Sequence, residues 1–157
     1  MQLPGRYDLR DQGFVTPVKD QGRFGTCWAF AALGAVESRW KILEGVTKDF
    51  SEKNMATCSG FEYGPSEGGN IYLSTAYLSR FDGPLPETAD PYVTMSENSE
   101  CTVSGTPEAY IPEVRFLPKD RDEVKRAIMH YGPVSTSMYS SEQSDYYNPV
   151  DNTWYYN

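Results

Sequence analysis

One segment, from Cys27 to Gly45, constrains the fold of this chain more than any other. Its first two turns are apolar almost all round, and a helix of that kind has to be covered by other parts of the protein. We therefore expect a central, buried helix that ends at Gly45. The apolar residues that recur at close to a helical period are Trp28, Ala31, Ala32, Ala35, Val36, Trp40 and Leu43.

Three shorter helices are predicted from capping residues and periodicity. Ser51 is a good N-cap for a helix that runs towards Cys58. Apolar residues at i, i+4 spacings predict a second helix over residues 70–81. Asp120, with Glu123 three residues later, forms a capping pair for the third. Helices are thus expected to dominate the first 130 residues.

The chain changes character after Pro133. Residues 134–139 alternate and are rich in β-forming types, while residues 146–157 are rich in Tyr, Asn and Pro and show no helical period. We expect a β-rich region to begin there. The predicted fold class is therefore α+β.

Composition excludes several classes of partner. The 157 residues, 39% of them hydrophobic, have the length of one ordinary domain with its own core. The net charge of -8 argues against nucleic acid or an anionic membrane surface, because both require a cationic face. No run of 18 apolar residues predicts a membrane span. Residues 1–4 are too short and polar for a signal peptide, so any secretion signal is expected to precede them.

A thiol at the start of the predicted central helix has a chemical consequence. The unpaired backbone N–H groups and the positive dipole at a helix N-terminus favour the thiolate of Cys27 over the thiol. Gly22 and Gly25 allow the backbone to approach a ligand closely. Gln21 is suited to donate its side-chain amide to an oxyanion, together with the backbone N–H of Cys27. From these residues alone, a structural cysteine buried beside a core tryptophan is an equal alternative.

The number of cysteines leaves their pairing open. Cys27, Cys58 and Cys101 allow one disulfide and one free thiol, or three free thiols. An odd count directs attention to the cysteine that has no partner.

The N-terminal stretch, residues 3–37, resembles the mature N-terminus of papain-like cysteine peptidases, the papain and cathepsin family. It reads L-P-G-R-Y-D-L-R-D-Q-G-F-V-T-P-V-K-D-Q-G-R-F-G-T-C-W-A-F-A-A-L-G-A-V-E. Four later segments continue the resemblance in order and spacing. They are F-S-E-K-N-M-A-T-C at 50–58, the Gly-Gly turn at 68–70, Asp-Pro-Tyr at 90–92 and Gly-Pro-Val-Ser at 132–135.

This resemblance implies a fold and a division into domains. The fold would be papain-like, with a helical L domain over residues 13–112 that carries the nucleophile. Residues 1–12 would cross to the second domain. Residues 113–157 would begin a β-rich barrel, the R domain, which remains incomplete in this sequence.

The resemblance also implies roles for individual residues. Cys27 would be the nucleophile and Gln21 an oxyanion donor. The backbone of an extended substrate would pair with Gly69 by β-type hydrogen bonds. The second side chain before the cut would meet Asn70, Ile71 and Ser137. The full set expected to touch the substrate is Gly25, Trp28, Gly68, Gly69, Asn70, Ile71 and Ser137.

Two cysteines of this chain match one disulfide of the family pattern, and a second disulfide of that pattern is absent. Cys58 and Cys101 resemble one L-domain disulfide, which implies an oxidising compartment and leaves Cys27 free. A second family disulfide is missing, because Phe24 stands where a Cys is usual and the partner region, residues 65–67, reads Pro-Ser-Glu. Thr26 stands where Ser or Ala is usual. The joint loss of both halves suggests a divergent bacterial or archaeal type.

Neither a metal site nor a cofactor is predicted. Three Cys and one His lack zinc-finger spacing, and the Asp and Glu residues lack calcium-loop spacing. Glu37 and Glu52 occupy positions where papain-like peptidases keep structural carboxylates. We expect them to stabilise the fold rather than to act as a catalytic acid pair.

The general base is not evident in the sequence. In the family the catalytic His and Asn lie about 130 to 150 residues after the nucleophile, at about residue 157 or beyond here. The single histidine, His130, ends a predicted helix, where contact with helix carbonyls is the better interpretation.

These observations together lead to one functional expectation and one alternative. The first is the N-terminal portion of a secreted or cell-surface endopeptidase. It would act on polypeptides through a thioester, together with the remaining C-terminal part of the same protein. The alternative is a non-catalytic papain-like module for binding or adhesion.

Overall fold

All four predicted helices are present in the computed structural model, which describes residues 2–138, 147–148, 150 and 153–154. Within these ranges there is also one short 3-10 turn at Tyr92–Thr94. The two strands form a hairpin in which Tyr147 is opposite Trp154 and Asn148 is opposite Thr153. The bounds of the elements are α1 Cys27–Glu44, α2 Glu52–Thr57, α3 Ile71–Ser79, α4 Arg121–Tyr131, β1 Tyr147–Asn148 and β2 Thr153–Trp154.

Helix α1 lies at the centre of the helical part and contacts both α2 and α3. It ends at Gly45, which has a φ of 68° and donates its N–H to the carbonyl of Lys41. Glycine reaches this left-handed conformation without steric cost, which explains the helix stop. The first two turns of α1 were expected to be buried all round, but Cys27 and Ala31 are exposed. The exposed strip at this end of α1 leaves the thiol accessible.

The core is built where α1, α2 and α3 meet. Each large apolar side chain that is fully buried contributes about 1.5–3 kcal/mol to folding. The buried apolar members are Trp28, Ala29, Ala32 and Leu33 of α1, Phe50, Met55 and Ala56 at α2, Leu73, Tyr77 and Leu78 of α3, and Ala109.

A buried asparagine joins the helices to the long loops. The Asn54 side chain accepts a hydrogen bond from the Tyr77 hydroxyl at 2.7 Å. It donates to Asp90 Oδ2 at 3.2 Å and to the Val103 carbonyl at 3.0 Å. Buried polar atoms that find partners in this way avoid a desolvation cost of about 1–3 kcal/mol each.

The disulfide implied by the family resemblance is present. Cys58 and Cys101 are bonded across a sequence separation of 43 residues, and Cys27 is free and exposed. The bond ties the end of α2 to the loop before α4. On chain entropy alone it contributes at most about 4 kcal/mol.

The expected β-rich half is not seen in the described residues. Residues 2–12 and 132–138 contain no strand, and after α4 only the two-residue strands β1 and β2 are assigned. A strand requires a neighbour to accept and donate its ladder hydrogen bonds, and no such neighbour lies beside residues 134–138 in the described part of the chain. Residue 139 and most of the predicted β segment over 146–157 lie outside the described residues. None of the helices that the structure describes has the length and hydropathy needed to cross a bilayer.

Candidate active site

Cys27 occupies the first position of α1, with its side chain exposed to solvent. The N–H groups of Ala29 and Phe30 both donate to the carbonyl of Thr26, at 2.9 and 3.3 Å. No acceptor within the described residues takes the N–H of Cys27 or of Trp28. These two free donors and the helix dipole make the surroundings of the thiol favourable for negative charge.

Gln21 lies in the turn that leads into α1. Its Nε2 donates to the carbonyl of Phe24 at 2.8 Å, which fixes the orientation of the half-buried side chain. A carboxamide has two N–H donors, so one remains for a ligand. The turn is tightened by Gly22, whose N–H donates to Asp20 Oδ1 at 2.8 Å and whose φ of 59° favours glycine. The structure therefore places Gln21 and Cys27 at the two ends of one short turn.

Tyr92 links the two ends of that turn. Its hydroxyl donates to the carbonyl of Gln21 at 2.8 Å and lies 2.6 Å from Thr26 Oγ1. Its ring is edge-on to Phe30, with centroids 4.8 Å apart, and to Phe24, with centroids 6.5 Å apart. Sequence reasoning had noticed Tyr92 only as part of the Asp-Pro-Tyr element. No local sequence signal identifies this contact, because Tyr92 is 66 residues from Thr26 and 71 from Gln21.

Two glycine segments meet beside the nucleophile. The N–H of Gly25 donates to the carbonyl of Pro65 at 2.8 Å. A Cβ added to Gly25 would lie only 2.7 Å from the backbone nitrogen of Gly68, so no side chain fits there. A Cβ on Gly69 would overlap the indole of Trp28. Gly25, Trp28, Gly68 and Gly69 are thus brought together, and close backbone contact joins the loops where the family pattern has a disulfide.

The other predicted substrate residues are less closely grouped. Asn70 is the N-cap of α3, and its Oδ1 accepts from the N–H of Tyr72 at 2.9 Å and of Leu73 at 3.4 Å. Ile71 lines an open groove of about 520 Å³ between α1, α3 and residues 110–117. The groove is also lined by Ser135, whereas Ser137 is exposed and is not among its lining residues. The side chain of Asn70 is therefore engaged in capping, and Ser137 is not placed beside Ile71.

His130 lies in the last turn of α4, well away from the thiol. Its ring is edge-on to that of Tyr131, whose carbonyl accepts a hydrogen bond from Arg39 Nη1 at 3.0 Å. Arg39 comes 12 residues after Cys27 on α1, which corresponds to about 18 Å along the helix axis. This placement agrees with a structural rather than a catalytic role for His130.

A half-buried lysine forms ion pairs with three carboxylates, one of them from α1. Lys19 Nζ lies 2.7 Å from Glu37 Oε1, 2.7 Å from Asp49 Oδ1 and 2.8 Å from Glu52 Oε1. It also donates to the Phe50 carbonyl at 3.2 Å. Because the ammonium occupies the centre, these carboxylates form an ion-pair network, and no group suited to a metal ion occurs in the described ranges.

Within this network the charged form of Lys19 is stabilised, whereas the charged form of Glu52 is destabilised. Burial alone would lower the pKa of Lys19, but hydrogen bonds to Asp49, Glu37 and Glu52 outweigh it and raise that pKa. Burial raises the pKa of Glu52 to about 7, although Lys19 opposes the change. Three carboxylates around one ammonium leave an excess of negative charge, which a proton on Glu52 relieves. The network supports a structural rather than a catalytic role for Glu37 and Glu52, with the protonated form of Glu52 favoured by burial.

Replacing Glu52 by Gln should remove part of the pH dependence of stability. The pKa of Glu52 rises from 4.5 to about 7 on folding, so its contribution is complete below pH 4.5 and is lost as the pH rises through 7. Glu52→Gln mimics the protonated carboxyl. Urea unfolding should give similar free energies at pH 5, and at pH 8 the variant should gain on the order of 2 kcal/mol relative to wild type. Parallel curves of unfolding free energy against pH would contradict this assignment.

The amino-acid sequence of this chain is similar to those of known cysteine proteases. The family described as "Papain family cysteine protease" matches residues 3–153. Cathepsin K from Mus musculus is 35% identical over 144 residues, which cover 89% of this chain and 42% of that protein. A cathepsin L-like peptidase from Aedes aegypti is 33% identical over 150 residues, with 92% and 43% covered. The chain therefore spans less than half the length of these curated relatives.

Solved structures show the same similarity in three dimensions. One contains the cysteine protease and lectin-like domains of Cwp84, a surface layer associated protein of Clostridium difficile. It superposes with a TM-score of 0.74 and 29% identity, covering 94% of this chain and 34% of that one. A recombinant stem bromelain precursor gives a TM-score of 0.59 and 33% identity, covering 70% and 35%. Both similarities extend over most of the described fold.

Proposed function

Because the chain belongs to the papain family of cysteine proteases, we propose that it carries the nucleophile-bearing half of a peptidase site that cuts polypeptides through a thioester on Cys27. The observation that carries this proposal is the environment of the thiol. Cys27 is free and exposed at the start of α1, beside two backbone N–H groups without acceptors in the described residues. Gln21 approaches from the same turn. Nucleophile and oxyanion donors thus come from one short segment.

The proposed reaction has two steps. The thiolate attacks the peptide carbonyl carbon, a sulfur–carbon bond forms, and the carbonyl electron pair moves onto the oxygen. The free amide hydrogen of Gln21 and the N–H of Cys27 then donate to that oxyanion. As the intermediate collapses, the carbon–nitrogen bond breaks and the departing amine takes up a proton. Water hydrolyses the thioester in the second step and regenerates the thiol.

The proton for the leaving amine requires a partner that these residues do not offer. A histidine paired with the cysteine normally supplies it. His130 is the single histidine of the sequence and lies beside the distal half of α1. We therefore propose that the histidine comes from outside residues 1–157, in the remaining C-terminal part of the protein. The same part would complete the β-rich R domain.

The exposed glycine backbone is proposed to hold the substrate. Gly69 is exposed above the Trp28 indole, which leaves its peptide groups accessible to an extended polypeptide. Main-chain pairing of this kind gives affinity with little dependence on substrate sequence. Ile71, at the edge of the neighbouring groove, would contact an apolar substrate side chain. The Cys58–Cys101 disulfide supports a secreted or cell-surface location.

One observation favours the alternative of a non-catalytic binding module. The only histidine is remote from Cys27, as it would be in a papain-like domain that no longer turns over substrate. A binding module would nevertheless have no requirement for a free thiol beside unpaired N–H groups. The reactivity of Cys27 towards a substrate-like electrophile separates the two functions.

The test is labelling of Cys27 by a peptidyl epoxide, followed by peptide mapping. The sulfur attacks one epoxide carbon, the bond from that carbon to oxygen breaks, and the oxygen stays on the second carbon and takes up the thiol proton. A bound peptide portion holds the epoxide beside the sulfur and so accelerates the reaction. We expect labelling at Cys27 at least tenfold faster than with an epoxide that lacks the peptide, and none in Cys27→Ala. Equal rates for the two epoxides would show an ordinary exposed thiol and would contradict a peptide-binding active site.

A further inference from the structure

Tyr92 is placed to control the geometry of the turn between Gln21 and Cys27. It comes from the 3-10 turn at Tyr92–Thr94, 71 residues after Gln21 and 66 after Thr26, yet it contacts both. Gln21 carries one of the two proposed oxyanion donors, and Thr26 directly precedes Cys27, whose N–H is the other. The contacts are therefore tertiary. They restrain the backbone between Gln21 and Thr26 in addition to the hydrogen bonds within the turn.

The protons of this contact can be assigned without ambiguity. A backbone carbonyl only accepts, so the Tyr92 hydroxyl must donate to the carbonyl of Gln21. Tyr92 has a single proton, so the Thr26 hydroxyl donates to Tyr92 Oη at 2.6 Å. The result is a directed chain from Thr26 through Tyr92 to Gln21. An alanine at position 26 would break it.

The chain of hydrogen bonds also withdraws the Thr26 side chain from the helix. Thr26 is the N-cap residue of α1, but its side chain makes no capping hydrogen bond. A threonine at this position ordinarily accepts from one of the first N–H groups. Because Thr26 Oγ1 is directed to Tyr92, it does not take the N–H of Trp28, and the N–H of Cys27 is likewise without an acceptor in the described residues.

We propose that Tyr92 is a positioning residue for this site, whose hydroxyl connects Gln21 to Thr26 and so keeps the two oxyanion donors directed at one point. This role rests on the proposed function. Phe24, which replaces a cysteine of the family pattern, packs against the same ring, as does Phe30. Tyr92 and its two aromatic neighbours thus stabilise non-covalently a loop that has no disulfide of its own.

Burial keeps the Tyr92 hydroxyl protonated, as a hydrogen-bond donor to Gln21 must be. It raises the pKa of Tyr92 above its usual value, with the Thr26 hydrogen bond opposing and the Glu52 and Asp20 carboxylates adding to the effect. The phenol therefore keeps its proton and remains a donor to Gln21 across the pH range in which peptidases work.

The test compares a reagent whose reaction with Cys27 creates an oxyanion with one whose reaction does not. A peptide aldehyde adds the Cys27 sulfur to its carbonyl carbon, and the carbonyl oxygen becomes an alkoxide that takes up the thiol proton. Iodoacetamide loses iodide and creates no such oxygen. In the 157-residue chain, Tyr92→Phe and Thr26→Ala should each weaken aldehyde binding about tenfold, as expected for the loss of one hydrogen bond. Alkylation by iodoacetamide should stay within twofold of wild type.

Matched variants separate this role from general packing. Thr26→Ser retains the hydroxyl and should keep wild-type aldehyde affinity. Tyr7→Phe removes an exposed hydroxyl that has no partner in the described part of the chain and should have no effect. The double variant of Tyr92→Phe with Thr26→Ala should be no weaker than the worse single variant, because both interrupt one chain of bonds. If Tyr92→Phe does not fold, the comparison of Thr26→Ala with Thr26→Ser decides the question.

Other outcomes would overturn the assignment. Unchanged aldehyde affinity in Tyr92→Phe and Thr26→Ala would show that the contact does not position the donors. An equal loss with both reagents would show a purely structural role. If a longer product that includes the remaining C-terminal part is alkylated but binds no aldehyde, the proposed peptidase function fails first, and the role of Tyr92 fails with it.

Discussion

The 157-residue chain is expected to react with small thiol reagents at Cys27 and yet to hydrolyse peptide substrates at no measurable rate. The exposed thiol at the start of α1 is accessible to alkylation. Acyl transfer also requires a proton for the leaving amine, which an imidazolium normally supplies. His130 is next to Tyr131, whose carbonyl accepts a hydrogen bond from Arg39 in the distal half of α1, so it lies beside the end of α1 opposite to Cys27. Removing the base of such a pair typically costs about 10⁴–10⁶-fold in turnover.

This expectation is checked with a fluorogenic peptide assay between pH 5 and 8, run beside iodoacetamide titration of the same sample. Cys27→Ala should lose alkylation at this position, while His130→Ala should leave both measurements unchanged. A longer product that continues through a further His and Asn should turn over substrate. Robust turnover by the 157-residue chain that His130→Ala abolishes would show that the base has been assigned wrongly.

Gly69→Ala is expected to destabilise the fold and to impair the cleft together. A Cβ at Gly69 would overlap three atoms of the Trp28 indole. The indole is only 8% exposed and packs in the core with Ala32 and Leu33, so it cannot move aside freely. Overpacking of this kind costs about 1–3 kcal/mol. Since Trp28 directly follows Cys27, its displacement should also slow peptidyl epoxide labelling by at least tenfold.

Gly64→Ala provides the matched control for this change. Gly64 lies in the same loop, and a Cβ there would be 3.4 Å from Glu67 Oε2, an ordinary van der Waals distance to a flexible side chain. Its free energy of unfolding in urea should stay within about 0.5 kcal/mol of wild type, with unchanged labelling. Equal stability and labelling of the Gly69 and Gly64 variants would show that Trp28 does not cover Gly69 in solution.

Features set by neighbouring residues were predicted well from the sequence. The cap at Ser51 and the stop at Gly45 depend on contacts within one helical turn, and both are present. Of the capping pair, Asp120 accepts from the N–H groups of Asp122 and Glu123 as expected, whereas the Glu123 side chain accepts from Arg126. The Cys58–Cys101 pairing required the family resemblance, since the count alone left the partners open, and it is confirmed.

Predictions that depended on distant partners were less successful. The contact of Asn70 with substrate stays a prediction, and in the structure its side-chain oxygen caps α3. Ser137 was expected beside Ile71, whereas Ser135 lines that groove. The expected strand over 134–139 is not formed in its described part, because alternation indicates which face a strand would bury without supplying a strand to pair with.

The sequence by itself determined the four helices, the place of Cys27 at the start of α1 and the position of Gln21 six residues before it, in the turn that leads into the helix. These are local properties, since capping, periodicity and chain proximity act over a few residues. Only the tertiary structure decided that Tyr92 joins Gln21 to Thr26, that Trp28 covers Gly69, and that His130 lies away from the thiol. Each of these depends on how separate segments pack around α1. The physical reason is that contacts between residues about 40 to 100 positions apart form only when many apolar side chains are buried together, and no local pattern of residues specifies that packing.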